Sequence, residues 1–165
     1  MAEKLRPGRY VASYPSRLGE ITLASDGERL VGVWFKGQKH FGSTIATDAV
    51  VEPERPELQK GIAWLNRFFA GEVCAEMPEF RLVGTDWQLK VWTALLTIPR
   101  GTTATYGTLA RQLGSSARAV GNAVGRNPIS VIVPCHRVTG VAGLTGYAAG
   151  IEIKRQLLLI EKGGE

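Results

Sequence analysis

The sequence predicts an α+β protein in which a small antiparallel sheet with one helix precedes a helical half built around a helix-turn-helix. Short β-rich runs separated by turn residues fill the first third of the chain, and helical apolar spacing begins at residue 56. The composition then shifts near Gly84. With 165 residues the chain can form one large domain or two small ones, and we place the boundary between 1–84 and 85–165.

Three strands are predicted in the first third, over residues 9–15, 19–25 and 29–35. Each run is rich in Tyr, Val, Ile and Leu, and turn signals separate them, so they form an antiparallel meander. Residues 36–55 lack a clear period, and we expect the acidic stretch 48–54 to be mobile. A helix is predicted to begin at Pro56 and to end before Gly71.

Four helices are predicted in the second half. The first covers residues 87–96, the second covers 106–113 and ends at Gly114, and the third covers 117–126 with Ser115 or Ser116 as its N-cap. A short helix, a glycine turn and a further helix form a helix-turn-helix pattern. The last helix presents Ile153, Leu157 and Ile160 on one face and is closed by Gly163.

The third of these helices is rich in residues with small side chains or none. Its small residues are Ala117, Ala119, Gly121, Ala123 and Gly125. A glycine inside a helix costs about 1 kcal/mol relative to alanine, so its presence needs a reason. Tight packing against another helix and close approach of a ligand to the backbone both remain open at this point.

The net charge of +5 lies entirely in residues 85–165, which hold 9 Lys and Arg against 4 Asp and Glu. An acid-poor, arginine-rich stretch favours a polyanionic partner, although an ordinary solvated basic face would have the same composition. No apolar run reaches the roughly 18 residues of a membrane span, and the first residues lack a signal-peptide core. We therefore expect a cytoplasmic protein with no membrane partner.

The polar triplet Cys135, His136 and Arg137 follows an apolar β-branched run, residues 129–133, which predicts a buried strand. A buried core cysteine is the ordinary interpretation, whereas a thiolate stabilised by its neighbours would be a nucleophile. On an extended strand His136 would point away from Cys135, so a bridging water or a bend is needed. Glu161, on the apolar side of the last helix, is the candidate to hold the other nitrogen of His136.

At these residues the chain resembles a known family. P-C-H-R-V at 134–138 is similar to the active-site motif of the O6-alkylguanine-DNA alkyltransferases. Further matches are G-T-D-W-Q at 84–88, R-A-V-G at 118–121, N-P at 127–128 and G-Y-A-A-G at 146–150. The resemblance is close over residues 85–162 and loose over 1–84. It identifies the chain as a member of the bacterial type, with a ribonuclease-H-like antiparallel sheet and helix followed by a winged helix-turn-helix-like catalytic domain.

The resemblance implies DNA repair by direct reversal. An alkyl group, such as methyl, moves from O6 of guanine in duplex DNA to the protein's own cysteine, once and irreversibly, without a cofactor or a metal. Activity on O4 of thymine stays open. The family binds DNA from the minor groove and flips the damaged nucleotide. The implied partner is double-stranded DNA containing O6-alkylguanine, and we expect a monomer, with cooperative binding along DNA left open.

The resemblance also assigns roles to single residues. In the chemistry, Cys135 is the nucleophile, His136 is the base acting through water, Glu161 orients His136, Tyr106 protonates the leaving guanine, and Asn127 is the hinge before the active-site segment. Arg118 fills the gap left by the flipped base, and the DNA-binding residues are Ser116, Ala117, Arg118, Ala119, Gly121, Asn122 and Arg126. The expected pocket residues are Trp87, Pro134, Val138, Tyr147 and Ala148.

Three positions depart from the family pattern. Asn122 and Arg126 stand where glycine is frequent, and Ala148 stands where serine is frequent. Arg137 is expected to brace the loop, and Cys74 is interpreted as structural.

Three other functions are compatible with parts of the pattern. A non-enzymatic alkyltransferase-like protein would bind the lesion without reacting, but such proteins carry another residue at the cysteine position. A plain DNA-binding regulator would not need a reactive thiol. A cysteine–histidine hydrolase would turn over repeatedly, so a measurement of the stoichiometry would separate it from an alkyltransferase that reacts once.

Overall fold

The computed structural model describes residues 7–73, 76–144 and 146–163. Cys74 lies outside these ranges. The elements in chain order are β1 (Gly8–Ser16), β2 (Gly19–Ser25), β3 (Leu30–Phe35), β4 (Ile45–Val51), α1 (Pro56–Phe69), α2 (Asp86–Leu95), β5 (Ala104–Thr105), α3 (Tyr106–Leu113), α4 (Ala117–Val124), a 3-10 turn (Cys135–Arg137), β6 (Val138–Thr139) and α5 (Ile151–Glu161). None of the described helices has the length and apolar character needed to cross a membrane.

The first half is a four-stranded sheet in the order β3-β2-β1-β4. β1 pairs antiparallel with β2, and β2 pairs antiparallel with β3, which confirms the predicted meander. The expectation of an aperiodic, mobile segment was wrong for residues 45–51, because β4 pairs there in parallel with β1. β4 is an edge strand with no fully buried residue, so its sequence lacks the strict alternation that reveals a half-buried strand.

Helix α1 covers one face of this sheet and begins at Pro56 as predicted. Leu58, Leu65 and Phe68 are its buried apolar residues. Gly61 permits the close approach, because a Cβ at this position would lie 2.7 Å from a Leu23 methyl group. The glycine therefore sets the distance between helix and sheet.

The second half contains the predicted helices. α3 ends at Gly114 in the left-handed conformation, with φ of 64°. The side chain of Ser116 then caps α4 by accepting a hydrogen bond from the Ala119 amide at 3.1 Å. α4 ends at Val124, two residues earlier than predicted. Helix, turn and helix thus follow one another as expected from the capping residues.

The two halves share one hydrophobic core and are joined by main-chain hydrogen bonds. The Val33 amide donates to Pro128 O at 2.8 Å, and Val33 O accepts from the Ser130 amide at 2.9 Å. The edge strand β3 is therefore bonded to the segment that precedes Cys135. This contact places the first half beside the segment in which sequence reasoning expects the chemistry.

Candidate active site

A cavity of about 460 Å³ opens between α3, α4 and the loop at 146–148. Of the residues predicted to form the site, those that line this cavity are Tyr106, Gly121, Asn122, Arg126, Asn127, Cys135, Tyr147 and Ala148. The other described residues lining it are Lys39, His40, Val124, Gly125, Ser130 and Gly146. Side chains scattered over more than 100 positions of the chain thus meet at one cavity.

Other predicted residues lie elsewhere. Trp87, Pro134 and Val138 do not line the cavity. Trp87 Nε1 donates to Ala119 O at 3.3 Å beneath α4, Pro134 faces a separate groove beside α1, and Val138 is buried in β6. Residues 116–118, at the start of α4, are exposed to solvent. His136 and Glu161 are buried.

The predicted strand over residues 129–133 is absent, and this run forms a buried turn instead. Asn127 supplies the hydrogen bonds that a strand partner would have made. Its amide donates to Val133 O at 2.9 Å, and its carbonyl accepts from the Ile129 amide at 3.0 Å. Val131 has φ of 71°, a conformation that costs a β-branched residue about 1–3 kcal/mol. The apolar run correctly indicated burial, but it could not show that a side chain would satisfy the backbone.

The turn delivers Cys135 into a single 3-10 turn rather than a strand. The expectation that successive side chains point to opposite faces therefore does not hold at residues 135–137. The sequence indicated that either a bridging water or a bend is needed between Cys135 and His136, and the structure contains the bend. It allows His136 to face the interior while Cys135 lines the cavity.

The thiol of Cys135 is free and almost fully buried, with 5% of the residue exposed. Its Sγ lies 3.9 Å from Tyr147 Oη. Burial raises the pKa of the thiol, and the Asn127 amide, Tyr147 and the positive charge of Lys154 oppose that rise. Because the rise prevails, the thiol is protonated near neutral pH and needs a base to become a nucleophile.

His136 and Glu161 form a fully buried pair in which Nε2 and Oε2 are 2.7 Å apart. Burial favours the neutral acid, but hydrogen bonds from His136 and Arg137 outweigh it and hold the pKa of Glu161 at about 2. The ionised carboxylate can only accept, so the proton lies on Nε2. Burial lowers the pKa of His136 below its usual 6.5 despite Glu161. The ring is therefore neutral, and its Nδ1, which bonds to no described residue, is a basic nitrogen.

Two further side chains hold this pair in place. Arg137 donates to both carboxylate oxygens of Glu161 and, at 2.7 Å, to Ile98 O in the turn that follows α2. The sequence predicts that Arg137 braces the loop at 140–150, whereas these bonds hold Glu161 and the segment after α2. Phe68 of α1 contacts the His136 ring edge-on, with centroids 6.3 Å apart. The first half of the chain thus contributes to the surroundings of the base, which sequence reasoning did not foresee.

Lys154 is a buried polar residue that sequence reasoning missed. The residue is fully buried, and its Nζ donates a hydrogen bond to Gly146 O at 3.2 Å. The ammonium also lies 5.9 Å from the centre of the Tyr106 ring. Burial lowers its pKa to about 8. The sequence could have indicated that Lys154 is buried. Residues 154, 157, 158 and 161 follow the spacing of one helix face, and that face carries the apolar Leu157.

The glycines of α4 are not required by packing within the protein. A Cβ at Gly121 would meet only the Tyr106 ring, at an ordinary 3.8 Å, and one at Gly125 would meet carbonyl oxygens at 3.4 Å or more. Ala123, by contrast, is buried against Trp92, whose Nε1 donates to Ala123 O at 2.7 Å. Helix packing therefore explains Ala123 but not Gly121.

Comparison with known proteins identifies the family of this fold. Residues 86–163 match the DNA-binding domain of 6-O-methylguanine DNA methyltransferase, and residues 9–76 match its ribonuclease-like domain. A methylated-DNA–protein-cysteine methyltransferase of Mycobacterium tuberculosis is 45% identical over 150 residues, covering 89% of this chain and 88% of the relative. The chain belongs to the 6-O-methylguanine DNA methyltransferase family. The family predicted from the sequence is thereby confirmed.

Solved structures of 6-O-methylguanine DNA methyltransferases agree with this assignment. The crystal structure of Mycobacterium tuberculosis OGT in complex with DNA has a TM-score of 0.84 and 43% identity, and the match covers 93% of each chain. A methylated-DNA–protein-cysteine methyltransferase of Methanosarcina acetivorans is 44% identical, covering 92% of this chain and 97% of the relative. The predicted α+β class, with a ribonuclease-like part before a DNA-binding part, is confirmed.

Proposed function

We propose that this member of the family repairs alkylated DNA by direct reversal, with Cys135 as the acceptor of an alkyl group from O6 of guanine. The observation that carries the proposal is a free thiol that lines a cavity and is followed in the chain by a neutral, carboxylate-bound histidine. A thiol with a raised pKa requires such a base, and a cavity of this size accommodates a base extruded from the duplex.

The transfer is a displacement at the alkyl carbon. His136 Nδ1 takes the proton of the Cys135 thiol through a water molecule, and Sγ forms a bond to the alkyl carbon while the bond from that carbon to O6 breaks. Tyr106 donates a proton to the departing guanine, which leaves as a neutral base. The product is a thioether that this machinery has no means to cleave, so each chain reacts once.

The positioning residues act around these groups. Glu161 holds the proton on Nε2 of His136, and Asn127 fixes the turn that carries Cys135. Tyr147 and Ala148 form the cavity wall on the side of the loop. Main-chain groups near Val138 remain our prediction for reading the edge of the guanine.

DNA is proposed to bind along the exposed start of α4 from the minor groove. The acid-poor, arginine-rich stretch supplies the charge that phosphates require, and the small side chains of the helix permit close approach. Residues 116–119, Gly121, Asn122 and Arg126 form this surface. Arg118 is exposed and is proposed to occupy the space left by the flipped nucleotide.

The remaining predictions concern substrate and state. We propose double-stranded DNA containing O6-alkylguanine as the partner, a monomeric and cytoplasmic protein, and a division between residues 84 and 85, which falls between the two matched family segments. Size-exclusion chromatography with light scattering tests the monomer. A parallel reaction with O4-methylthymine duplex tests the second base.

Intact-protein mass spectrometry after mixing with one equivalent of duplex carrying a single O6-methylguanine tests the function. We expect a gain of one methylene unit, mapped to Cys135 and saturating at one per chain, and no gain in Cys135→Ala. The variant should still bind DNA. Tight lesion binding without a mass change would instead indicate a non-enzymatic reader, which the methyltransferase names of the relatives do not favour.

A further inference from the structure

The cavity has a wall that comes from the first half of the chain. Lys39 and His40, in the segment after β3, line it together with residues of α4. None of the site residues predicted from the sequence lies in this half. The two residues belong to the exposed surface, so their side chains are available to a bound ligand.

This segment is held firmly against the second half. The Lys39 amide donates to Ala148 O at 3.2 Å, on the loop beside Tyr147. The buried Gln38 side chain accepts from the Phe35 amide at 2.8 Å and from Ser130 Oγ at 3.4 Å. These bonds fix the position of residues 39 and 40 relative to the cavity.

His40 has a backbone conformation that is uncommon for a residue with a side chain, since its φ is 61°. Such conformations cluster at binding sites, where the surrounding structure maintains them. Here the turn is closed by two main-chain bonds, from the Phe41 amide to Gln38 O and from the Ser43 amide to His40 O. The turn keeps His40 at the edge of the cavity.

The cavity edge is positively charged. Lys39 and Arg126 are both exposed and make no ion pair with any carboxylate in the described part of the chain, and His40 adds a further ring nitrogen. No described residue that lines the cavity is acidic. Two unneutralised cations at the mouth of a cavity attract an anion rather than a neutral base.

Building on the proposed function, we propose that Lys39, His40 and Arg126 form an oxyanion-binding rim that bridges the two halves of the protein. The oxyanion is a phosphate beside the flipped nucleotide, or a carboxylate carried by the alkyl adduct itself. Both present the same negatively charged oxygens to the same donors. The first half of the chain therefore takes part in substrate binding as well as supporting the fold.

The test compares Lys39→Gln with Lys36→Gln. Lys36 is an exposed lysine three residues earlier in the same segment, and it does not line the cavity. Both variants and the wild type react with free O6-benzylguanine, with duplex containing O6-methylguanine, and with duplex containing O6-carboxymethylguanine. Second-order rates of Cys135 alkylation are measured by mass spectrometry. Arg126→Gln is carried through the same series as a second variant at the cavity.

We expect Lys39→Gln to lower the ratio of duplex rate to free-base rate about threefold at low salt, the size of an exposed charge contact. Equal loss on both duplexes, with a salt slope shallower by about 0.9, assigns the oxyanion to a phosphate. Loss confined to the carboxymethyl duplex assigns it to the adduct. Lys36→Gln should change none of these ratios.

Two results would overturn the proposal of an oxyanion-binding rim. The first is an unchanged ratio in both Lys39→Gln and Arg126→Gln. The second is the same ratio change in Lys36→Gln, which would indicate general charge only. Failure of the proposed function is distinct, because the wild type itself would then gain no mass on Cys135 with any substrate.

Discussion

His136 Nε2 and Glu161 Oε2 lie 2.7 Å apart although 25 residues separate them in the chain. Neither side chain is exposed to solvent. The contact decides which nitrogen of the ring is basic, because an ionised carboxylate must accept from Nε2 and leaves the lone pair on Nδ1. The acid–base chemistry proposed for Cys135 thus depends on a residue of the last helix.

Replacing His136 with Gln should slow alkyl transfer about 10²-fold or more, because the protonated Cys135 thiol loses its base. The affinity for duplex should change little, because His136 is buried away from the exposed start of α4. Quenched mass spectrometry gives the transfer rate, and fluorescence anisotropy gives the affinity. A variant that reacts within threefold of the wild type would exclude His136 as the base.

Acid should destabilise the protein through Glu161. Its pKa is about 2 in the folded protein against an ordinary 4.5, so its contribution is fully present above pH 4.5 and is lost as the pH falls towards 2. The shift corresponds to about 3 kcal/mol. Urea unfolding between pH 3 and pH 7 should therefore show a flatter pH dependence in Glu161→Gln than in the wild type.

Glu152→Gln is the matched control for this experiment, because Glu152 lies on the same helix in an exposed ion pair with Arg155. Its pH dependence should follow that of the wild type. If Glu161→Gln does not fold, the wild-type profile still tests the prediction. A wild-type stability that stays constant from pH 4.5 to pH 3 would contradict it.

Much of this fold was predictable because its signals are local. Pro56, Gly114 and Ser116 each mark a helix end by a conformational or hydrogen-bonding preference that depends on a few neighbours. Strands β1 to β3 form a meander with short turns, so sequence order equals spatial order. β4 was missed because an edge strand with neither face fully buried leaves no periodic pattern.

The site was predictable only in part, for a different physical reason. Cys135 and Glu161 could be found from the motif and from the apolar face of a helix. Lys39 and His40 could not, because the bonds that bring them to the cavity, through Val33 and Ala148, cross between the two halves of the chain. The turn over residues 129–133 was mistaken for a strand because both structures bury an apolar run, and only the side-chain bonds of Asn127 distinguish them.

Replacing Asn127 with Ala should destabilise the protein by about 3 kcal/mol. The Ile129 amide would be left buried without a partner, which costs about 1–3 kcal/mol. Val133 O would lose one of its two hydrogen bonds, which costs about 1 kcal/mol more, because the Cys135 amide still donates to it at 2.8 Å. Urea unfolding at pH 7 measures the change. Asn122→Ala, an exposed change on α4, is the control and should shift stability by no more than about 0.5 kcal/mol. Similar stability in both variants would contradict the role of Asn127 as the support of the turn.

Replacing Arg118 with Ala should slow repair of duplex O6-methylguanine about tenfold or more relative to reaction with free O6-benzylguanine. Arg118 is exposed at the second position of α4 and makes no ion pair with a described carboxylate, so its side chain is available to enter the duplex. Extruding a nucleotide costs a few kcal/mol, and a side chain that fills the gap offsets part of that cost. Free base needs no extrusion.

Arg111→Ala separates this role from general charge, because Arg111 is an exposed arginine on the neighbouring helix α3. The Arg111→Ala variant should lose affinity for duplex by the amount expected of one phosphate contact, and its affinity should depend less steeply on salt. Its deficit in repair rate should vanish at saturating DNA. The Arg118 deficit should persist at saturation, since it arises after binding. It should also shrink when the lesion lies opposite a base that pairs with it poorly, because less energy is then needed for extrusion. An equal loss on duplex and on free base would place Arg118 in the chemistry of the cavity and not in the displacement of the nucleotide.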